Sequence, residues 1–281
     1  MRVIRGVRQM QDATLSARRS GKTIGLVPTM GALHEGHLSL IRQARRDNDL
    51  VVVSIFVNPA QFGPGEDFKK YPRNLVKDAK LCRAEGADII FYPDKKEVYP
   101  PGYRTYIEVE GLSDVLCGRS RPGHFKGVAT IVAKFFNIVQ PDTAYFGQKD
   151  AQQSAIIKRM VEDMNMPVKV MVMPTVREPG GLALSSRNTY LNSKQKRDAF
   201  ILSRSLDFAV YLIRNGLRDT NRIIVAMKKL ICKKLSISVD YISIVDYETL
   251  EPLKRIKGKC LIALAARAGK TRLIDNIVVE A

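Results

Sequence analysis

Short apolar runs alternate with helical patterns over the first 173 residues of this 281-residue chain. The strongest run, residues 50–57, is almost continuously apolar and rich in β-branched side chains, which is typical of a strand covered on both faces. Strands that alternate with helices are joined by right-handed crossovers, and their sheet is parallel. We therefore expect an α/β fold in which helices cover both faces of a parallel sheet. Its other expected strands are residues 23–28, 88–92, 143–146 and 168–173, with an exposed strand at 103–109, and its expected helices are residues 7–20, 37–47, 72–85, 124–139 and 150–163.

The pattern changes in the last third of the chain. Residues 174–187 contain two prolines and the pair Gly180-Gly181, which is typical of a connection between domains. Two long helical patterns follow, at residues 193–215 and 220–234, and then three strand patterns, at 239–247, 259–267 and 271–279. Helices that are segregated from an antiparallel sheet make an α+β domain. We expect a first domain over residues 1–178, a hinge at 179–187 and a smaller C-terminal α+β lid domain over 188–281.

The chain is strongly basic. It carries 46 lysines and arginines against 28 aspartates and glutamates, a net charge of +18, which by itself would suit a nucleic-acid-binding protein. The excess divides evenly between residues 1–187 and 188–281, and lysines of the second part, such as Lys228 and Lys229, lie on the solvent side of a helical pattern. We interpret this charge as a solvated helix face. A general attraction for anionic ligands such as nucleotides is the alternative.

Apolar stretches are all shorter than the roughly 20 residues that a membrane helix requires, and the first residues lack the apolar centre of a signal peptide. We therefore expect a cytoplasmic protein with no membrane partner. The four cysteines, Cys82, Cys117, Cys232 and Cys260, form neither a Cys-x-x-Cys pair nor a cluster with histidine. We interpret them as reduced thiols rather than as zinc ligands or disulfides.

Residues 25–38 carry the most distinctive motif. An apolar strand pattern passes through a Pro/Gly turn to two histidines, His34 and His37, and then into a helical pattern. A helix N-terminus presents unpaired N–H groups and the positive end of the helix dipole, so it is a natural site for phosphate, and Gly36 would let a nucleotide approach the backbone closely. We expect the imidazoles to donate hydrogen bonds to phosphate oxygens during phosphoryl or nucleotidyl transfer. A metal-binding pair or a structural pair is the alternative, although helical zinc motifs place their histidines four residues apart.

Polar residues also follow the other expected strands. Asn58 and Gln61 come after the second strand, the segment Gly147-Gln-Lys-Asp150 after a later one, and Ser185-Ser-Arg187 beyond the last. In an open parallel sheet, ligands bind beyond the carboxyl ends of the strands. We therefore expect these segments and the two histidines to line one edge of the sheet.

The segment Pro28-Thr-Met-Gly-Ala-Leu-His-Glu-Gly-His-Leu38 resembles the His-x-Gly-His signature of a nucleotidyltransferase superfamily, and this long form resembles the pantothenate synthetase (pantoate-beta-alanine ligase) family. Five further blocks extend the resemblance in order. Six ordered blocks are far more specific than the first motif alone. The further blocks are Ser54-Ile-Phe-Val-Asn-Pro-Ala-Gln-Phe62, Tyr71-Pro-Arg73, Pro122-Gly-His-Phe-Lys-Gly-Val128, Tyr145-Phe-Gly-Gln-Lys-Asp-Ala-Gln-Gln153 and Gly181-Leu-Ala-Leu-Ser-Ser-Arg-Asn188.

The resemblance implies a Rossmann-like nucleotide- and pantoate-binding domain and a two-step ligation. ATP and (R)-pantoate would give pantoyl adenylate and pyrophosphate, and the amine of β-alanine would then displace AMP to give pantothenate. His34, His37 and Lys149 would be the catalytic residues, with the histidines stabilising phosphate charge during attack by the pantoate carboxylate. The residues that the resemblance places around ATP are Met30, Gly31, Ala32, Leu33, His34, Glu35, Gly36, His37, Gly147, Gln148, Lys149, Asp150, Val176, Leu184, Ser185, Ser186 and Arg187.

For the acid substrate, the resemblance implies contacts from Gln61 and Gln153, with Asn58 and Tyr71 as further contacts. A neutral amide both donates and accepts hydrogen bonds, which suits the hydroxyl groups of pantoate. Mg²⁺ is expected because it accompanies ATP, although no compact Asp/Glu cluster identifies its ligands. A homodimer is expected from the family alone.

The chain departs from the family at Gly180, where the family commonly has aspartate. This difference removes a carboxylate near the expected position of the triphosphate.

A basic loop, residues 119–126, has two interpretations that the sequence leaves open. It either closes over the site with Arg119, Arg121 and His124 towards anionic substrate or is a mobile solvent loop.

Two other classes of function share some of these sequence features. Another His-x-Gly-His nucleotidyltransferase or a tRNA-charging enzyme would share the first motif, but the chain is short for a tRNA-charging enzyme and has no obvious anticodon-reading domain. A basic nucleic-acid-binding protein would use the net charge of +18. It would be expected to interleave aromatic residues with its basic stretches, and the C-terminal helical patterns lack such residues. We expect no nucleic-acid partner.

Overall fold

The computed structural model describes residues 1–280, which divide into two compact units. The first unit consists of Met1–Asp114, Gly118–Gly147 and Ile156–Pro174, and the second of Val115–Cys117, Gln148–Ala155 and the chain from Thr175 onward. The strands are β1 (Arg2–Ile4), β2 (Ile24–Thr29), β3 (Leu50–Ile55), β4 (Ile89–Phe91), β5 (Thr143–Gly147), β6 (Lys169–Met173), β7 (Ile237–Asp246), β8 (Lys259–Ala268) and β9 (Thr271–Glu280). The α-helices are α1 (Val7–Arg19), α2 (Glu35–Asp47), α3 (Leu75–Ala84), α4 (Lys95–Val98), α5 (Cys117–Ser120), α6 (His124–Val139), α7 (Ala151–Asp163), α8 (Ser193–Arg214) and α9 (Thr220–Ile231).

The first unit contains a six-stranded sheet in the order β1-β4-β3-β2-β5-β6, and every neighbouring pair is parallel. The central strands β2 and β3 run in register from Ile24 opposite Leu50 to Thr29 opposite Ile55. All residues of β3 after Leu50 are buried. Because successive side chains of a strand point to opposite faces, such burial means that both faces of the sheet are covered. The predicted parallel sheet is confirmed.

Helices cover the two faces of this sheet. Leu38 and Ile41 of α2 pack on Val27 and Val53, with α3 contributing Cys82 to the same cluster. On the other face, the alternate side chains Leu26, Val52 and Ser54 are also buried. Helix α1 contacts β2 and α6, and α6 is buried over most of its length.

The second unit contains an antiparallel sheet in the order β7-β8-β9, with α8 and α9 packed on it around one apolar cluster. The start of α8 is a capping box, in which Asn192 Oδ1 accepts the N–H of Gln195 and Gln195 Oε1 accepts the N–H of Asn192. Asp219 caps α9 by accepting the N–H of Arg222. The β8–β9 hairpin turns at Gly269, whose φ of 60° suits glycine. The predicted α+β arrangement is confirmed.

One local prediction is wrong, and one short strand was not predicted. Residues 103–109 alternate like a strand but form none, and the N–H of Ile107 donates instead to Thr130 Oγ1 of α6 at 2.9 Å. Strand β1 was not predicted, because three residues are too few to show an alternating pattern. No helix among the described residues is long and apolar enough to cross a membrane.

Candidate active site

The loop of residues 30–34, called the signature loop below, connects β2 to α2 and holds a strained backbone conformation. Thr29, the last residue of β2, donates to the carbonyl of Ser54 at 2.8 Å and accepts the N–H of Gly31 at 3.1 Å. Gly31 has a φ of 83° and Ala32 a φ of 51°. A left-handed conformation is unfavourable for alanine, so contacts from outside the loop must stabilise it.

Asp78 of α3 supplies those contacts. Its carboxylate is buried, and it accepts the N–H of Ala32 at 3.0 Å and that of Leu33 at 2.9 Å. Burial raises the pKa of Asp78, and the two N–H groups oppose that effect. Sequence reasoning missed this residue. The only available signal was an acidic residue on the helix face that also carries the buried Cys82.

The two histidines lie at the N-terminus of α2, as predicted. Their ring centroids are 4.1 Å apart and the ring planes are inclined by 37°. The N–H of His34 donates to Nδ1 of His37 at 3.3 Å. Since this Nδ1 accepts, a neutral His37 carries its proton on Nε2. His37 can therefore offer an N–H donor to an anion at the helix N-terminus. Glu35, between them, is exposed and forms an ion pair with Arg42, which also pairs with Glu85.

The loop after β3, with residues 58–61, lies beside the signature loop and is called the second wall of the candidate site below. Asn58 begins a short 3-10 helix, Pro59–Gln61, and its Oδ1 accepts the N–H of Ala60. Gln61 is buried, and its Nε2 donates to Met30 Sδ at 2.9 Å. The structure thus brings the Asn58–Gln61 segment against the signature loop, as expected for loops that follow neighbouring parallel strands. Tyr71 is also buried and packs edge-on against Phe62.

Helix α6 approaches this second wall closely at Gly127. A Cβ atom at this glycine would lie 2.2 Å from the carbonyl oxygen of Ala60, so no other residue type fits without a shift of the backbone. The carbonyl of Gly127 accepts a hydrogen bond from Asn58 Nδ2 at 3.0 Å. This contact gives a physical reason for a glycine in the block that ends at Val128.

The basic loop before α6 is tied to the same wall. Arg121 pairs with Glu66 at 2.6 Å, and its guanidinium also donates to the carbonyl of Gln61. Nδ1 of His124 lies 2.8 Å from that carbonyl oxygen. Arg121 and His124 therefore hold the segment that contains Gln61, and Arg121 is already neutralised by a carboxylate.

In the second unit, a short 3-10 helix, Gln148–Asp150, carries the predicted lysine. The Nζ atom of Lys149 lies 3.5 Å from a carboxylate oxygen of Asp150. Asn276 of β9 fixes the turn by donating to the carbonyls of Gln148 and Lys149, both at 2.9 Å, and by accepting from Gln148 Nε2 at 3.0 Å. Gln153 follows on α7 and is half-buried.

The segment expected to be a hinge forms a small hairpin. The N–H of Leu184 donates to the carbonyl of Val176 at 3.0 Å, and Arg177 and Ala183 form an antiparallel bridge. Val176 and Leu184, two of the predicted ATP contacts, are thus neighbours in this hairpin. Ser185 then caps a 3-10 helix, Ser186–Tyr190, by accepting the N–H of Arg187.

A buried carboxylate anchors this hairpin to β9. Asp275 accepts two hydrogen bonds from Arg177, at 2.6 and 3.0 Å, and Arg177 also donates to the carbonyl of Gly181 at 3.0 Å. Burial raises the pKa of Asp275, although Arg177 acts in the opposite direction. The pair Asp275-Asn276 therefore fixes both predicted ATP segments of this unit. Sequence reasoning missed it, although two adjacent polar residues interrupting an apolar strand were a visible signal.

Gly180 lies at the tip of this hairpin, where a Cβ atom would be 2.3 Å from two ring carbons of Phe200. We expect Gly180→Asp, which introduces the residue common in the family, to destabilise the protein by about 1–3 kcal/mol, the usual range for overpacking. Chemical denaturation would measure this. Gly180→Asp combined with Phe200→Leu should recover part of the loss, and Gly63→Ala, at an open position, should change little. A fully stable Gly180→Asp variant would contradict the overpacking.

The described residues contain no group of three or more His, Cys, Asp or Glu side chains arranged to hold a metal ion. Among these residues, none of the four cysteines forms a disulfide. Within the first unit the histidine motif and the Asn58–Gln61 segment meet. Within the second, β9 holds the lysine turn and the hairpin.

Comparison with known proteins gives one consistent result. A family model described as Pantoate-beta-alanine ligase matches residues 2–278. The chain is 52% identical over 280 residues to the pantothenate synthetase of Caldicellulosiruptor saccharolyticus and 54% identical over 280 residues to that of Heliobacterium modesticaldum, with all of each chain covered.

Solved structures agree with these relatives. A pantothenate synthetase from Thermus thermophilus superposes with a TM-score of 0.93 at 43% identity, covering 99% of both chains. A pantoate-beta-alanine ligase from Francisella tularensis, complexed with beta-gamma ATP and beta-alanine, has a TM-score of 0.80 at 34% identity and covers 99% of this chain and 97% of its own.

Proposed function

This chain belongs to the pantoate-beta-alanine ligase family, and from that premise we propose how its residues carry out the ATP-dependent condensation of (R)-pantoate with β-alanine. One contact carries the proposal: Gln61 Nε2 donates a hydrogen bond to Sδ of Met30, in the signature loop, at 2.9 Å. It sets a neutral amide suited to hydroxyl groups beside a helix N-terminus suited to phosphate.

In the first step, a carboxylate oxygen of pantoate attacks the α-phosphorus of ATP. The bond to the bridging oxygen breaks, and pyrophosphate leaves with the electron pair. Negative charge accumulates on the phosphate oxygens during this exchange, and catalysis consists largely of stabilising it. We assign this role to His34, to the Nε2–H group of His37 and to the ammonium group of Lys149.

In the second step, the uncharged amine of β-alanine attacks the acyl carbon of pantoyl adenylate. The bond from that carbon to the phosphate oxygen breaks, AMP leaves, and the nitrogen loses a proton to give the amide of pantothenate. AMP is a good leaving group, so this step needs positioning more than acid catalysis.

The proposed ATP contacts follow three segments. Met30 to His37 surround the phosphates, Gly147 to Asp150 provide a lysine and a carboxylate for ribose or adenosine donors, and Val176 with Leu184 contact adenosine. Ser185, Ser186 and Arg187 would hold the triphosphate. Mg²⁺ enters this scheme with ATP, since phosphate and water oxygens supply most of the ligands that it requires.

For pantoate we propose Gln61 and Gln153 as hydrogen-bonding residues, with Asn58 and Tyr71 as further contacts.

We also propose residues 1–178 as the nucleotide- and pantoate-binding domain and residues 188–281 as a lid domain joined by a hinge at 179–187. We further propose that the protein is cytoplasmic and forms a homodimer. Light scattering of the purified protein would measure its oligomeric state.

One assay tests the function directly. With ATP and pantoate alone, we expect release of pyrophosphate, and addition of β-alanine should then release AMP in equal amount to pantothenate. Inactivity with these substrates, together with turnover of another acid or of tRNA, would overturn the proposal. Binding to RNA or DNA that falls steeply with salt, without any turnover, would instead favour a nucleic-acid-binding protein.

A further inference from the structure

Tyr99 lies outside every segment that the motifs single out, yet it contacts the second wall of the site. It follows α4 directly, and its hydroxyl oxygen lies 2.8 Å from Asn58 Oδ1. Burial raises the pKa of Tyr99 well above its ordinary value. The hydroxyl therefore keeps its proton throughout the neutral pH range and remains able to donate.

Two backbone groups fix the orientation of the Asn58 amide. Its Oδ1 accepts the N–H of Ala60 at 3.2 Å, and its Nδ2 donates to the carbonyl of Gly127 at 3.0 Å. A backbone N–H can only donate and a carbonyl oxygen can only accept, so these contacts settle which end of the amide is the oxygen. In its bond to Asn58 Oδ1, Tyr99 must be the donor.

Asn58 in turn orients the amide of Gln61. Asn58 Nδ2 lies 3.2 Å from Gln61 Oε1, so that oxygen accepts, and the other end of the Gln61 amide donates to Met30 Sδ at 2.9 Å. A thioether sulfur is a weak acceptor. The Gln61 N–H group can therefore exchange this partner for an oxygen of a bound substrate with a gain in hydrogen-bond strength.

We propose that Tyr99 is a positioning residue for the acid substrate. Its hydroxyl holds Asn58, and through Asn58 it holds the amide of Gln61 in the orientation that directs an N–H donor to an oxygen of pantoate. This inference rests on the proposed role of Gln61 in binding pantoate. It assigns to Tyr99 no contact with the substrate itself.

The variant Tyr99→Phe removes only the hydroxyl group. Asn58 Oδ1 keeps its hydrogen bond from Ala60, so no buried acceptor is left unsatisfied. We expect the KM for pantoate to rise about fivefold, the effect of one lost neutral hydrogen bond. The KM for ATP and kcat should stay unchanged, because an interaction made equally in the ground and transition states affects only KM.

Tyr103→Phe is the matched control. Tyr103 packs edge-on against Tyr99 with ring centroids 5.0 Å apart, and the substitution removes the same hydroxyl group without touching the bond to Asn58. It should leave both KM values unchanged. Gln61→Ala tests the premise, since it should raise the KM for pantoate by itself. In a Gln61→Ala background, most of the effect of Tyr99→Phe should disappear, because Tyr99 acts mainly through the contact made by Gln61.

The outcomes separate the inference from its premise. An unchanged pantoate KM in Tyr99→Phe, with a raised one in Gln61→Ala, would overturn the role of Tyr99 alone. An unchanged pantoate KM in Gln61→Ala would overturn the assignment of Gln61 and the inference with it. Equal increases in the KM values for ATP and pantoate in Tyr99→Phe would indicate a general structural effect and would also overturn the inference.

Discussion

Replacing His37 by alanine should lower the rate of adenylation by about 10²- to 10³-fold, the usual effect of removing one hydrogen-bond donor to a developing negative charge. The hydrogen bond from the N–H of His34 to His37 Nδ1 leaves the proton of the neutral ring on Nε2. The variant loses this donor at the positive end of α2. Pyrophosphate release with saturating ATP and pantoate measures the rate.

Two further variants make this measurement specific. Ser39→Ala is the matched control on the same helical turn, because its hydroxyl only donates to the carbonyl of Gly36, and it should leave the rate unchanged. His37→Gln keeps an N–H donor of similar reach and should retain part of the activity. A His37→Ala variant with an unchanged unfolding midpoint and an undiminished adenylation rate would remove His37 from the mechanism.

The part of the site that the sequence predicted is encoded locally. The strand, turn and histidine pair of residues 25–38 are consecutive, so their order alone places His34 and His37 at a helix N-terminus. The burial of β3 could be predicted because a nearly continuous β-branched run is typical of a strand covered on both faces. The caps of α8 and α9, Asn192 and Asp219, are likewise encoded locally, because a cap and its helix are adjacent in sequence.

The supports of the site could not be predicted, because they join distant parts of the chain. Asp78 holds the signature loop from 45 residues away, and Asn276 holds the carbonyl of Lys149 from 127 residues away. No motif marks Asp78, and the polar pair in β9 that includes Asn276 does not indicate which distant segment it holds. The wrong prediction at residues 103–109 has a similar cause. Polar and apolar side chains do alternate there, but the N–H of Ile107 donates to Thr130 of α6 instead of to a neighbouring strand.

Arg177→Met should destabilise the protein by about 3 kcal/mol, near the lower end of the range for breaking a buried ion pair. The Asp275 side chain is only 1% exposed, whereas that of Arg177 is 30% exposed. Methionine keeps the aliphatic volume of arginine but leaves the carboxylate buried without its guanidinium. The hairpin also loses the hydrogen bond to Gly181, so we expect a higher KM for ATP. Urea denaturation and steady-state kinetics would measure the two effects.

The loss of stability in Arg177→Met should depend on pH. Burial already raises the pKa of Asp275 in the folded protein, and removal of Arg177 raises it further. The folded variant then binds a proton more tightly than the unfolded chain does, so its stability falls as pH rises from the unfolded to the folded pKa. We therefore expect the variant to be relatively more stable at pH 5 than at pH 8.

The pH dependence distinguishes a buried carboxylate from a general loss of packing. Adding Asp275→Asn to Arg177→Met should remove the additional pH dependence, because the amide does not ionise. Arg159→Met is the matched control, since its pair with Asp163 is 56% and 49% exposed, and an exposed pair contributes at most about 1 kcal/mol. Equal losses in Arg177→Met and Arg159→Met, both independent of pH, would show that the Arg177–Asp275 pair does not anchor the hairpin.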